Sequence, residues 1–361
     1  MQLSDLKNNQ KPNPNLKKDF CNDDLDIFSD DDTPSIPKSK PEPTIPVRTI
    51  NADHERIPRE EVTPKTERPL IEMDIDCGVF VINKSLIGQF MYNGQEEPHC
   101  PYQVFMHYIS KEWESKPTES MQKGLFFETL TIGQSADGTG VTDLPRGKKG
   151  NKSVDQIRIE EQALIFNQMY PQYHMIIIKE GRNRNVQIPF CTEWKDPKYK
   201  NFDDLKIYLK GVIDIVSPIS VGHYNYNMCI IDLKLTKNRF STYGKYSWGN
   251  VEQMDHTQPL LYSYGTGLPF MYWVFDYQAD NDKRGHKFFP VKTQNAEDSA
   301  DPELQTRYNE FHETIRKTIR YLIQYHNEGW PRKANYDSCK NCIDNPVNGG
   351  TCPCSNNIQE V

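Results

Sequence analysis

Residues 211–235 read Gly211-Val-Ile-Asp214-Ile-Val-Ser217-Pro-Ile-Ser-Val-Gly-His223-Tyr-Asn-Tyr-Asn-Met228-Cys-Ile-Ile-Asp232-Leu-Lys234-Leu235. Two apolar, β-branched runs flank a turn-rich middle, the pattern of a β-hairpin. Centred on His223, such a hairpin sets Asp214 directly across from Asp232, because each lies nine residues from the centre. Period-two alternation then keeps Lys234 on the face of Asp232. Like charges opposed across a sheet are destabilising, and both carboxylates have apolar neighbours, so the arrangement calls for a compensating cation. Lys234 is a partial answer, and a divalent metal would complete it.

Two further segments belong beside this hairpin. Gly124-Leu-Phe-Phe-Glu128 places a carboxylate inside an apolar helical turn, a third candidate ligand. Gln258-Pro-Leu-Leu-Tyr262 puts two polar side chains on one helical face. Singly, each is ordinary: Asp-x-Lys is most often a surface pair, and Gln with Tyr four apart is most often a helix flank. The order Gly-x-x-x-Glu, Gly-x-x-Asp, Asp-x-Lys, Gln-x-x-x-Tyr is far rarer. Around it, periodicity predicts a cap at Ser85 before Leu86 to Met91, helices over 101–113, 118–132, 155–170, 252–264 and 302–326, and strands over 174–179, 186–190, 207–216, 228–235, 270–277 and 287–291. Strands in the middle with helices at both ends predict one mixed α/β layer structure.

These motifs resemble the PD-(D/E)XK nuclease superfamily, in particular its RecB-like exonuclease branch. The resemblance spans roughly residues 85–355 and implies an α/β restriction-endonuclease-like core, a mixed central sheet flanked by helices. It implies metal ligands at Glu128, Asp214, Asp232 and Leu233, with magnesium or manganese as the hard cation such donors suit. Lys234 would orient the attacking water or stabilise developing charge, and Gln258 and Tyr262 would position DNA near the scissile bond. Many relatives carry His where Glu128 stands. Pro259 fits the trailing motif only if its helix starts near Gln258.

Five cysteines, Cys21, Cys77, Cys100, Cys191 and Cys229, are scattered, whereas Cys339, Cys342, Cys352 and Cys354 crowd the last 23 residues. Reduced clusters of this kind bind zinc or iron–sulfur. A local four-cysteine zinc site and a site recruiting Cys100 are both open. The second resembles the iron–sulfur subset of RecB-like nucleases, which includes the CRISPR-associated adaptation nucleases. That resemblance implies a [4Fe-4S] cluster on Cys100, Cys339, Cys342 and Cys352, with Cys354 as substitute for Cys352. Either metal would tie the C-terminus to the start of the domain.

The chain has 361 residues, 36% of them hydrophobic, and a formal charge of −7. Residues 1–69 hold 10 of the 25 prolines, no glycine and only two aromatics, Phe20 and Phe28, and read as a disordered acidic tail. Such a tail is a solvated leader or a docking peptide for a replication or recombination protein. Residues 70–361 form the expected nuclease domain, its cysteine site at 335–355. No apolar run approaches the roughly 18 residues of a membrane helix, and the start lacks a secretory pattern, so a soluble cytoplasmic protein is expected, of the bacterial host if phage-encoded. No G-x-x-x-x-G-K-[ST] occurs, which argues against a helicase motor. The net charge being negative, DNA contacts fall to local patches: Arg146, Lys148, Lys149 and Lys152; Lys179, Arg182 and Arg184; Lys237, Arg239 and Lys245. Tyr243, Tyr246 and Trp248 would stack bases or pack the core. The expected function is a stand-alone, metal-dependent DNA exonuclease acting on ends. The alternatives are a structure-selective endonuclease or an inactive DNA-binding scaffold on the same fold.

Overall fold

A computed structural model describes residues 71–331 apart from the short segments 93–94, 97–99, 113–116, 134–139, 147–149, 182, 199–201, 242–247, 250–253, 279–283 and 294–300. The acidic tail, Cys339, Cys342, Cys352, Cys354, Lys148, Lys149, Arg182, Tyr243, Lys245 and Tyr246 therefore lie outside the described residues.

The elements run β1 (Val79–Ile82), α1 (Lys84–Ile87), β2 (Met91–Tyr92), β3 (Gln95–Glu96), α2 (Pro101–Val104), α3 (Glu119–Ile132), α4 (Val154–Met169), β4 (Val186–Glu193), β5 (Lys206–Val221), β6 (Tyr224–Thr236), α5 (Thr257–Thr266), β7 (Phe270–Asp276), β8 (His286–Val291) and α6 (Pro302–Asn327). A six-stranded mixed sheet has the order β1-β5-β6-β7-β8, with β4 on the other side of β5; β1–β5 and β6–β7 are parallel. β7 is buried at every position, with Phe270, Tyr272 and Val274 in one core and Met271, Trp273 and Phe275 in the other. Helices therefore cover both faces. α5 and α6 pack with α1 on the first core, and α3 and α4 on the second. α6 buries Leu304, Tyr308, Phe311, Ile315, Ile319 and Leu322, an i, i+4, i+7 stripe, and starts on an Asp301 cap with Pro302 in its first turn. No helix of the described residues is long and apolar enough to cross a membrane.

Four sequence expectations shift. Asn83, not Ser85, caps the short α1 through its bond from Leu86 N–H. The helix expected over 101–113 widens into a π-helical stretch, Phe105–Ile109, and ends there. Residues 175–179 are irregular rather than a strand, because Ile176 bonds the Ser217 side chain and Ile178 N–H bonds that of Asn185, leaving no ladder to join. α5 begins at Thr257, so Pro259 falls in the first turn, where no intrahelical N–H is required.

The long strand β5 forks the sheet. One edge carries β4 from Tyr208 to Ile215, while the other carries β1 at 206–209 and β6 at 215–221. Between those partners, β1 and β6 diverge and leave 210–214 unpaired on that edge. The hairpin tip is a two-residue turn, Gly222-His223, with Gly222 at φ 56°. Continued unbroken, its register would set Asp214 opposite Ile231. A bulge intervenes: Pro218, which has no N–H to pair, faces Asn227 and Met228, and beyond it Ser217 pairs Cys229 and Ile215 pairs Ile231. By count the next step is Asp214 and Asp232, just past the end of the ladder.

Candidate active site

Asp214 stands at the fork, where the ladder between β5 and β6 stops at Ile215↔Ile231. Past that point the Leu233 N–H donates to Asp214 Oδ2 at 2.7 Å. Asp232 is 1% exposed, and both its oxygens are engaged: Gln258 Nε2 donates to Oδ1 at 2.6 Å, and Lys234 Nζ forms an ion pair with Oδ2. The Lys234 ammonium also lies 5.8 Å from the centre of the Tyr272 ring, which is buried behind it. Glu128 enters from α3, a helix fixed by its Thr118 cap and by Phe126 and Phe127 in the second core. Leu233 buries its side chain in that same core and meets the site through its backbone.

The electrostatics are those of a surplus of buried negative charge. Burial, then the Asp232 and Glu128 charges, hold Asp214 well above the ordinary carboxylate range, against the pull of Lys234 and the Leu233 N–H. Burial likewise raises Asp232, with Lys234 opposing. Burial pushes Glu128 up to about 7, Lys234 lowering it and Asp232 raising it. Three carboxylates thus share one lysine. Among the described residues no three His, Cys, Asp or Glu side chains are grouped closely enough to hold a metal ion between them. The donor chemistry nevertheless fits a hard divalent cation: the carboxylates, all three raised by burial and Asp214 and Glu128 also by neighbouring negative charge, gain from added positive charge.

α5 supplies the remaining polar groups. Gln258 and Tyr262 are both buried, one turn apart, and burial pushes the Tyr262 hydroxyl up, with Asp232 and Asp214 adding to the effect. Tyr262 meets Phe190 of β4 edge to face at 5.3 Å. Two glycines make room for that ring. A Cβ on Gly211 would come within 2.6 Å of Phe190 and 2.8 Å of Tyr262, and one on Gly265 within 2.4 Å of Phe190. The glycine three residues before Asp214 is therefore a packing requirement of Tyr262. Phe190 went unnoticed in the sequence, since a strand phenylalanine carries no signal of which ring it will brace. Gly124, by contrast, faces open space.

Among the described residues of the basic patches, four are engaged within the protein. Arg146 pairs with Asp143 at 3.5 Å, Lys152 with Glu160 at 2.8 Å and Arg239 with Asp276 at 3.4 Å. Arg184 donates to Val186 O at 2.8 Å and to Gln187 Oε1 at 2.9 Å. Lys179 and Lys237 are exposed. Trp248 is a core residue, 3% exposed and packed on Tyr272 and Phe289, and so is not a stacking platform. Cys100 is a buried free thiol immediately before α2, close enough to Tyr325 of α6 to influence its ionisation. Trp330, just past α6, meets Phe105 at 5.6 Å, joining the same two regions.

No family model and no curated protein matches the sequence. A crystal structure from Eubacterium rectale, provisionally described as an exonuclease, aligns with 74% of this chain and 87% of its own, at TM-score 0.42 and 13% identity. A likeness of that size carries no argument.

Proposed function

We propose that the chain is a metal-dependent DNA nuclease of the PD-(D/E)XK type, in its RecB-like branch, hydrolysing phosphodiester bonds at DNA ends. One observation carries this reading: Asp214 at the fork lies near enough to Asp232 and Glu128 for their charges to raise it, while Lys234 pairs with Asp232 and Gln258 of α5 hydrogen-bonds it. A magnesium or manganese ion held by Glu128, Asp214 and Asp232, with Leu233 adjoining, would supply a hydroxide nucleophile at neutral pH and positive charge against the phosphoryl oxygens. The chain's own groups do the rest. Gln258 anchors one oxygen of Asp232, so that carboxylate stays aimed when Lys234 leaves the other. Lys234, once released, is placed to orient the attacking water or to stabilise charge on the phosphate. Tyr262, braced by Phe190, presents its hydroxyl to the DNA backbone.

The test is cleavage of end-labelled linear and covalently closed circular DNA with magnesium or manganese, comparing the chain with its Lys234→Ala variant. Degradation confined to linear DNA, and slowed by about 10²–10³-fold in the variant, is expected. Cutting of circles would move the assignment to an endonuclease. Binding without cleavage under either cation would overturn it in favour of a scaffold.

The second part of the proposal is a [4Fe-4S] cluster on Cys100, Cys339, Cys342 and Cys352. Its support is the proximity of Cys100 to the end of α6, the helix from which the chain runs on toward Cys339. Iron and acid-labile sulfide in purified protein, lost in Cys100→Ser, are the expected outcome; zinc retained by Cys100→Ser would assign the local four-cysteine site instead.

A further inference from the structure

One residue of the sheet has a backbone that strands avoid. Gln187, in β4, has φ 49°, and among the described residues the other non-glycine positive-φ positions, Lys111, His174 and Trp330, all lie outside strands. Gln187 sits opposite Asp214, between the pairs Val186↔Ile215 and Ile188↔Ile213, and it is the one position skipped in that ladder. No residue is inserted, since the same register holds on both sides. What changes is direction. Val186 and Ile215 pack in the second core, whereas Ile188 and Ile213 pack in the first. Residues two apart on a regular strand share a face. Both strands therefore carry an added rotation at this one step, and the side chain between Ile213 and Ile215 is turned toward the open edge of the fork. There Asp214 Oδ2 accepts the Leu233 N–H at 2.7 Å.

The surroundings hold the unusual conformation in place, as such residues require. Arg184 grips Val186 O at 2.8 Å and Gln187 Oε1 at 2.9 Å. Pairing resumes at once, with Val216 N–H donating to Asn185 O at 2.8 Å and Asn185 Nδ2 to Val216 O at 2.9 Å. Resting on the nuclease reading of the site, we propose that Gln187 is a positioning residue: its left-handed backbone rotates β5 at Asp214 and so aims that carboxylate at the reacting centre.

Three variants separate backbone from side chain. Glycine and asparagine accept positive φ, and glycine also removes the bond to Arg184; valine opposes positive φ. The readouts are exchange of the Leu233 amide in the full chain without divalent cation, followed by NMR, and kcat and KM on end-labelled linear DNA with magnesium. Gln187→Gly and Gln187→Asn should keep the Leu233 amide protected and kcat within about threefold, whereas Gln187→Val should speed that exchange and lower kcat by about tenfold or more, KM unchanged. Asp214→Ala calibrates the exposed Leu233 amide, and Ile230 and Ile231 should stay protected throughout. A glycine variant as impaired as valine would overturn the proposal, because the side chain's bond would then be what matters. So would a valine variant with unaltered Leu233 exchange. Should valine fail to fold, the Gly and Asn variants decide by the same criterion. If the unaltered chain cleaves no DNA, the nuclease reading falls, while the Leu233 exchange still judges the positioning.

Discussion

Lys84–Asp255 and the cluster of Asp214, Asp232, Glu128 and Lys234 are both buried groups of charge beside α5, and they are balanced in opposite ways. Asp255 is an anion with everything it needs: burial alone would raise it, yet the Lys84 ammonium and the Thr257 hydrogen bonds bring it below the usual carboxylate value. One cation serves one carboxylate, and the pair ties α1 to the start of α5. In the cluster one cation serves three carboxylates, and all three are raised. The first group is complete as folded; the second keeps more carboxylates than its one cation can balance. A folded chain tolerates that imbalance only where the rest of its structure holds it.

The contrast can be broken in order of expected size. Asp255→Ala leaves the half-buried Lys84 ammonium without its carboxylate and should cost about 3–5 kcal/mol of unfolding free energy, read from urea titrations. Asp214→Asn, in chelator, should cost nothing by the same assay, since it removes a like charge; an equal loss from both variants would erase the distinction. The pH dependences should also run in opposite senses. Glu128 has its folded pKa raised from 4.5 to about 7, so its contribution to stability is full below 4.5 and is lost as pH rises to about 7. At 1.36 kcal/mol per unit this is roughly 3 kcal/mol, absent in Glu128→Gln and diminished by divalent cation. Asp255, being lowered, contributes above 3.8 and loses its contribution as pH falls further. The denaturation midpoint followed across pH, with and without magnesium, reads both. Smaller again is Gly211→Ala, whose added methyl meets Phe190 and Tyr262: about 1–3 kcal/mol of stability should go, with a drop in cleavage that Phe190→Leu partly restores.

What the sequence made legible followed from periodicity and from local chemistry. Helix α3 has its Thr118 cap, β7 its unbroken apolar run, and α6 its stripe from Leu304 to Leu322. The carboxylate pair was also legible, though by a different route from the one the molecule takes. A hairpin centred on His223 brings Asp214 to Asp232, but the turn is Gly222-His223 and the bulge at Pro218 makes up the difference. Two compensating departures are invisible to a rule of alternation. The segment 175–179 looks like a strand by composition, yet Ser217 and Asn185 occupy its backbone with side chains. The wedge of Phe190 between Gly211 and Gly265, and the rotation at Gln187, depend on contacts between segments far apart in the chain. No local pattern encodes them.

The bulge at Pro218 also constrains how this hairpin can vary. Loops ordinarily accept insertions and deletions of any length, because nothing downstream counts them. Here the residues between Ser217 and Cys229 act as a counter. A change of one residue on a single arm that no second bulge absorbs should carry Asp232 and Lys234 toward the opposite face of the sheet, the core shared by α3 and α4, while a matched change on both arms should leave them in place. A graft or shortened variant that changes both arms equally, and so keeps the register of Ser217 with Cys229, should keep the carboxylates together.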